Sequence, residues 1–226
     1  MNIVSDSTLT RADLIQLLAQ PQTVTQFDHC SFDGQDLSSL DLRNIRFTAC
    51  SLVEARLVRA TLNETTWDRC KIGLGDFELA DLTDAQFTAC DLHLSKWARC
   101  QLSSATISDS KLNGASFPEV RALGLTLRGC RLVGAQLRGM SFRKQALEQL
   151  DFSDADLGGC DFRDAVFNGG SLRGASLKGA RFQGADLRAA ELGSITVYDL
   201  TSSLKGSVIS AEQAEQLVES LGVRVM

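Results

Sequence analysis

"SLRGASLKGARFQGADLRAAEL", residues 171–192, carries a large apolar residue at every fifth place: Leu172, Leu177, Phe182, Leu187 and Leu192. An α-helix does not explain this, since steps of five rotate about 140° each and scatter the residues around the axis. A flat strand fails too, because an odd step sends successive residues to opposite faces. What remains is a repeat architecture in which the chain turns at a fixed phase and fills an interior from all sides.

The register extends far beyond this stretch. Stepping by five from Phe27 to Val197 meets no insertion or deletion, and all 11 Phe and both Trp of the chain lie on it. Ala122 is its one small member. The column two places earlier, Cys30 to Ile195, is mostly Ala or Cys and holds every cysteine: Cys30, Cys50, Cys70, Cys90, Cys100, Cys130 and Cys160. Alternating large and small apolar columns imply a narrow, filled interior. The other three columns are polar, and Gly gathers in one of them (Gly114, Gly124, Gly134, Gly174, Gly184). A turn that recurs at one phase and needs φ > 0 accounts for that.

Cysteine spacing sets the size of a coil. Cys30, Cys50, Cys70, Cys90 and Cys130 are separated by multiples of 20, so a coil of four pentapeptides stacks them on one side. They read as small buried hydrophobes, and replacing Cys90 with Ser would bring a poorly paired buried hydroxyl. No C-x-x-C cluster offers a metal site, and no disulfide framework, metal or cofactor is expected. "GLGDFE" lacks the last glycine of a dinucleotide fingerprint. His29 and His93 lie far apart in outward columns, which argues against a catalytic or metal role. With a net charge of −5 the chain is a poor general binder of nucleic acid or anionic membrane. It has no membrane-spanning run or secretory leader, so the expected compartment is the cytoplasm.

The units "ADLTD" (80–84), "ADLGG" (155–159) and "ADLRA" (185–189) resemble the pentapeptide-repeat family. The resemblance implies an all-β solenoid, a right-handed quadrilateral β-helix with short terminal capping helices and no enzymatic activity. The expected division is a helical cap over 1–26, the β-helix over 27–200, and a C-terminal helix and short strand over 201–226. In "LTRADLIQLLAQP", Thr10 and Asp13 make a capping box, Leu9 and Leu14 a hydrophobic staple, and Pro21 a stop. Leu14, Ile15, Leu17 and Leu18 would then lie on the first coil. In "SAEQAEQLVESLGVRVM", Ser210 and Gln213 make a second capping box, Gly222 suits the C′ position, and "VRVM" alternates like a strand. Leu217, Val218 and Leu221 form an apolar stripe that would either seal the solenoid or join two copies as a homodimer.

Two segments narrow the likeness. "FPEVRALGLTLRGCRLVGAQLRGMSF" (117–142) and "LVESLGVRV" (217–225) resemble the Qnr-type quinolone-resistance proteins. This implies a DNA mimic that binds a type II topoisomerase, DNA gyrase or topoisomerase IV, and protects it from quinolones, inhibits it, or both. Stepping by 20 groups Asp41, Glu64, Asp81, Asp84, Asp161 and Asp164 as the outward acidic residues for such a partner. The charges are banded, however, with only basic residues from Arg121 to Lys144. An unbroken register also leaves no room for the projecting loops of many Qnr proteins, and the N-terminal helix is additional. A repeat-based scaffold or effector with a different protein partner stands as the alternative.

Overall fold

In the computed structural model, which describes residues 2–20, 24–193, 195, 197–220 and 222–225, the period of five closes into coils of 20. The chain forms two compact units, Met1–Cys130 and Arg131–Met226. Each is a parallel β-solenoid.

In the first unit, strands β1 (Ile3–Ser5), β2 (Gln26–Asp28), β3 (Arg46–Thr48), β4 (Thr66–Asp68), β5 (Gln86–Thr88), β6 (Thr106–Ser108) and β7 (Thr126–Arg128) stack in parallel. From β2 onward their central residues align at steps of 20, as Phe27, Phe47, Trp67, Phe87, Ile107 and Leu127. Three ladders of single bridges supply the other sides, among them Asp41 to Thr61 to Asp81. In the second unit β8 (Ala146–Glu148) pairs with β9 (Val166–Asn168) in the same register. Bridges such as Ser141 to Asp161 to Arg181 complete it.

Both apolar columns are internal. Every Phe and Trp is buried, and rings one coil apart stack: Phe47 on Trp67 at 4.0 Å between centroids, Phe77 on Trp97 at 4.3 Å, Phe162 on Phe182 at 4.6 Å. All seven cysteines are buried free thiols. Burial pushes the Cys100 and Cys160 thiols up to about 12. Cys50 Sγ donates to the carbonyl of Phe27 one coil back, and Cys160 Sγ to that of Leu137. A native serine, Ser110, occupies the same column and is fully bonded. Its hydroxyl donates to the Ser108 carbonyl at 2.7 Å and accepts from Cys90 N–H at 2.9 Å.

The small column changes character where the large one carries tryptophan. Trp67 Nε1 donates to Thr65 Oγ1 at 2.9 Å and Trp97 Nε1 to Ser95 Oγ at 2.7 Å. Each hydroxyl in turn donates a hydrogen bond to a carbonyl three residues back, that of Leu62 or Leu92. A buried indole N–H without a partner is destabilising, so an Ala or Cys at these two places would not serve. Ser95→Ala is therefore expected to lower unfolding free energy by about 1–3 kcal/mol, measured by urea denaturation. Ser95→Thr should restore most of the loss.

The corner after each side is left-handed whether or not glycine occupies it. Gly34, Glu54, Leu74, Leu94 and Gly114 all have φ between +54° and +66°. The glycine column is thus a preference at this phase, and the ladder holds other residues in the same conformation against a local penalty.

The ends differ in part from expectation. Helix α1 (Arg11–Leu18) has Thr10 as N-cap and the complete Thr10–Asp13 capping box. Leu14 is fully buried, but Ile15 is 46% exposed, so only part of the expected stripe is covered. The segment before the helix is also not merely a cap: β1 extends the sheet, with Val4 opposite Phe27. Pro21 lies outside the described residues. Helix α2 (Val197–Thr201), unanticipated, follows the last pentapeptides. Helix α3 (Ala211–Ser220) has the expected Ser210–Gln213 box. Residues 223–225 are exposed and form no strand, contrary to the alternation of "VRVM", whose Met226 lies outside the described residues.

Candidate partner-binding surface

The aspartate of the A-D-L-x-x unit is mostly occupied within its own turn. Asp36, Asp41, Asp76, Asp81 and Asp91 each accept the N–H of the residue two places on through Oδ1. Asp151, Asp156, Asp161 and Asp186 do the same in the second unit. This is the Asx type of turn closure, and it explains why aspartate suits that phase.

Where an arginine sits two places on, the carboxylate is also neutralised. Asp41 takes Arg43 in a two-pronged contact at 2.9 and 2.6 Å, and Asp186 takes Arg188 at 3.0 and 2.6 Å. Hydrogen bonding to Arg188 holds the Asp186 carboxyl down at about 2. Asp161 goes further. Arg163 binds both its oxygens, and Arg181, from the next coil, reaches Oδ2 at 2.9 Å. The Arg163 hydrogen bond, aided by the charge of Arg181, lowers Asp161 to about 2. At 7% exposure Asp161 is buried, which corrects its placement as an outward charge.

The remaining predicted acids are different. Glu64 and Asp84 stand at left-handed corners one coil apart, both with φ +58°, and both are exposed. No ion pair engages either among the described residues. Asp81, beside them, is half-buried and bonded to the Thr83 hydroxyl at 2.7 Å. In the second unit Asp164 is an exposed corner residue whose nearest cation, Arg143 Nε, is 3.8 Å away. Within the first unit the structure therefore brings Glu64, Asp81 and Asp84 onto one edge, with Asp41 on the same ladder as Asp81.

Leu123, 85% exposed, was missed. Its carbonyl accepts Ser104 N–H at 2.9 Å, which places it one coil beyond Ser103 on the edge that carries Thr83 and Asp84. The available signal was Ala122, the gap in the large apolar column.

At the C-terminal end, Gln213 Nε2 donates to the carbonyls of Leu187 and Ala190 at 2.8 and 2.7 Å. These are main-chain acceptors of the last regular coil, so α3 caps it. Leu217 is buried at 9% exposure, which removes it from a free stripe, while Val218 is 37% exposed. Leu221 lies outside the described residues. Val208, Val223 and Val225 add exposed apolar surface.

Other chemistry is sparse. His93 Nδ1 is 2.7 Å from Asp91 Oδ1, and His29 Nδ1 is 3.2 Å from Asp28. No group of three or more His, Cys, Asp and Glu side chains able to hold a metal ion occurs among the described residues. No described helix is long and apolar enough to cross a membrane.

Comparison with known proteins agrees with this architecture. The family model described as "Pentapeptide repeat region" matches residues 23–97, and "Pentapeptide repeats (8 copies)" matches 124–159 and 155–192. No curated protein sequence matches the chain. Among solved structures, a trypsin-treated variant of QnrB1, a plasmid-mediated fluoroquinolone resistance protein, superposes with a TM-score of 0.64 at 19% identity. That match covers 100% of this chain and 98% of the other. Full-length QnrB1 superposes equally well, at 0.64 and 20% identity over 98% and 97% of the two chains. The five-residue register, the 20-residue coils and these matches establish that the chain belongs to the pentapeptide-repeat family.

Proposed function

We propose that the protein binds the DNA-gripping surface of a type II topoisomerase as a DNA mimic, modulates its activity and shields it from quinolones. The observation that carries the reading is the pair Glu64 and Asp84, carboxylates with no ion pair among the described residues, held outward at corners one coil apart. Adjacent coils repeat at about 4.8 Å, so the ladder sets these charges at a fixed interval. The fold likeness to QnrB1 supports the same reading.

The test is DNA supercoiling by purified gyrase, with and without a quinolone, titrated with the protein. The double substitution Glu64→Lys with Asp84→Lys should weaken the effect on the order of tenfold at low salt. The difference should shrink as salt is raised, because exposed charges are screened beyond about 10 Å at 0.1 M. Asp161→Lys is unsuitable as a probe, since it would bury a cation against Arg163 and Arg181. An unaltered titration with the corner double mutant sinks the mimicry, and a wild type without effect on gyrase moves the protein to a different partner. A scaffold or effector role with that other partner is favoured by one observation: Asp41, Asp161 and Asp186 are spent on arginines of their own chain.

We also propose a homodimer through the C-terminal end, in which Val218 and the exposed Val223 and Val225 meet a second copy. Sedimentation at micromolar concentration should show a dimer for the wild type and a folded monomer for Val218→Asp. A monomeric wild type refutes it.

A further inference from the structure

Asn168 ends β9 with its side chain exposed and is followed by Gly169 and Gly170, at φ +83° and +87°. At the same corner of earlier coils, the N–H after the strand is tied to the next coil. His29 donates to Thr48, Ala49 to Asp68, Arg69 to Thr88 and Ala89 to Ser108, at 2.8–3.0 Å. The N–H of Gly169 has no acceptor among the described residues. In an Asn-Gly pair a solvent-facing amide and an untied glycine nitrogen favour intramolecular attack, because glycine has no Cβ to obstruct the approach and no hydrogen bond holds its nitrogen in place.

We infer that Asn168 is a site of spontaneous deamidation and isomerisation. The Gly169 nitrogen, giving its proton to solvent base, attacks Cγ of Asn168. The N–Cγ bond forms, the Cγ–Nδ2 bond breaks, and ammonia leaves with the returned proton, which gives a cyclic succinimide. Water then adds to either ring carbonyl and opens it to aspartate or isoaspartate. No redox partner is needed.

Two other pairs in the chain provide comparison. Asp33–Gly34 is locked: the Asp33 carboxylate accepts from Ser51 Oγ at 2.6 Å and Val53 N–H at 2.8 Å, and Gly34 N–H donates to the Val53 carbonyl. At Asn113–Gly114 the asparagine is half-buried, with its Oδ1 enclosed. Asn168 should therefore react ahead of both. The product matters to the coil, because the Asn168 carbonyl accepts from Gln149 N–H and Nε2, each at 3.2 Å. An isoaspartate inserts a methylene into the main chain at that point and displaces the acceptor.

The experiment is to age the purified full chain in warm, mildly alkaline buffer and follow it by peptide mapping, ammonia release and isoaspartyl methyltransferase labelling. The peptide containing Asn168 should gain about one dalton, acquire the label, and do so several-fold faster than the peptide containing Asn113. The aged fraction should melt below the fresh protein. Asn168→Gln, which leaves Gly169 and the ladder untouched, should abolish the label there. The inference is overturned if Asn168 stays intact in the folded chain while it deamidates in urea. Asn113 reacting first, or equal labelling of Asn168→Gln, overturns it too.

Discussion

Phe162→Ala is expected to lower the unfolding free energy by about 3–5 kcal/mol, the usual range for emptying a buried aromatic position. The ring is fully buried between Phe142 at 5.0 Å and Phe182 at 4.6 Å, both nearly parallel to it, and meets Phe152 edge-on at 6.1 Å. A void here has little means of closing. The main chain on this side is held by ladder bonds, including Phe162 N–H to the Arg181 carbonyl at 2.8 Å. The rings stacked on either side, Phe142 and Phe182, come from neighbouring coils pinned in the same way. Phe162→Leu should lose less than about 1.5 kcal/mol, since it retains most of the volume. Urea denaturation of both variants is the measurement. If Phe162→Ala unfolds at the wild-type midpoint, the stack assigned to these coils is wrong.

Gly170→Ala should also be strongly damaging, at about 2–3 kcal/mol, for a different reason. Gly170 has φ +87°, and a Cβ there would fall on the carbonyl oxygen of Leu150 and lie 2.8 Å from its nitrogen. The obstruction is main chain, which has no rotamer to change. Relief requires moving the Leu150 peptide, whose carbonyl accepts Ser171 N–H at 3.0 Å. A lost ladder bond, typically about 1 kcal/mol, thus adds to the left-handed penalty of about 1–2 kcal/mol. Gly139→Ala is the control. Its φ is +73°, but no atom lies within 4 Å of the added carbon, so only the conformational penalty should appear. Equal destabilisation of the two variants, measured by thermal melting, would show that the contact with Leu150 does not matter.

The repeat was legible because its signal is redundant: each coil restates the same inside and outside columns, and the cysteine spacing states the coil length. Both capping boxes were legible because they depend on residues three apart. What escaped detection depends on neighbours distant in sequence. β1 joins the sheet 23 residues before its partner because α1 is interposed, so no step of five or 20 leads to it. The burial of Asp161 needs Arg163 and Arg181 together, and outward phase alone says nothing of such a clamp. Likewise, Leu217 looked free because the helix stripe was read without the coil end that Gln213 binds. "VRVM" had the pattern of a strand, but 223–225 form no ladder pair among the described residues. The acidic group divided for a similar reason. Aspartates at the turn-closing phase serve the main chain, while Glu64, Asp84 and Asp164 at the corner phase face water.

The alignment of Phe47, Trp67 and Phe87 at intervals of 20 also governs how such a gene can change length. Removing any number of codons that is not a multiple of five turns the coil inside out from that point on. A multiple of five keeps apolar residues inside but slides every later side around the coil, so Trp67 would no longer lie between two phenylalanines. Only whole coils can be gained or lost with all ring stacks intact. Viable insertions and deletions within each unit should therefore be quantised in steps of 20 residues, each adding or removing one storey of the ladder.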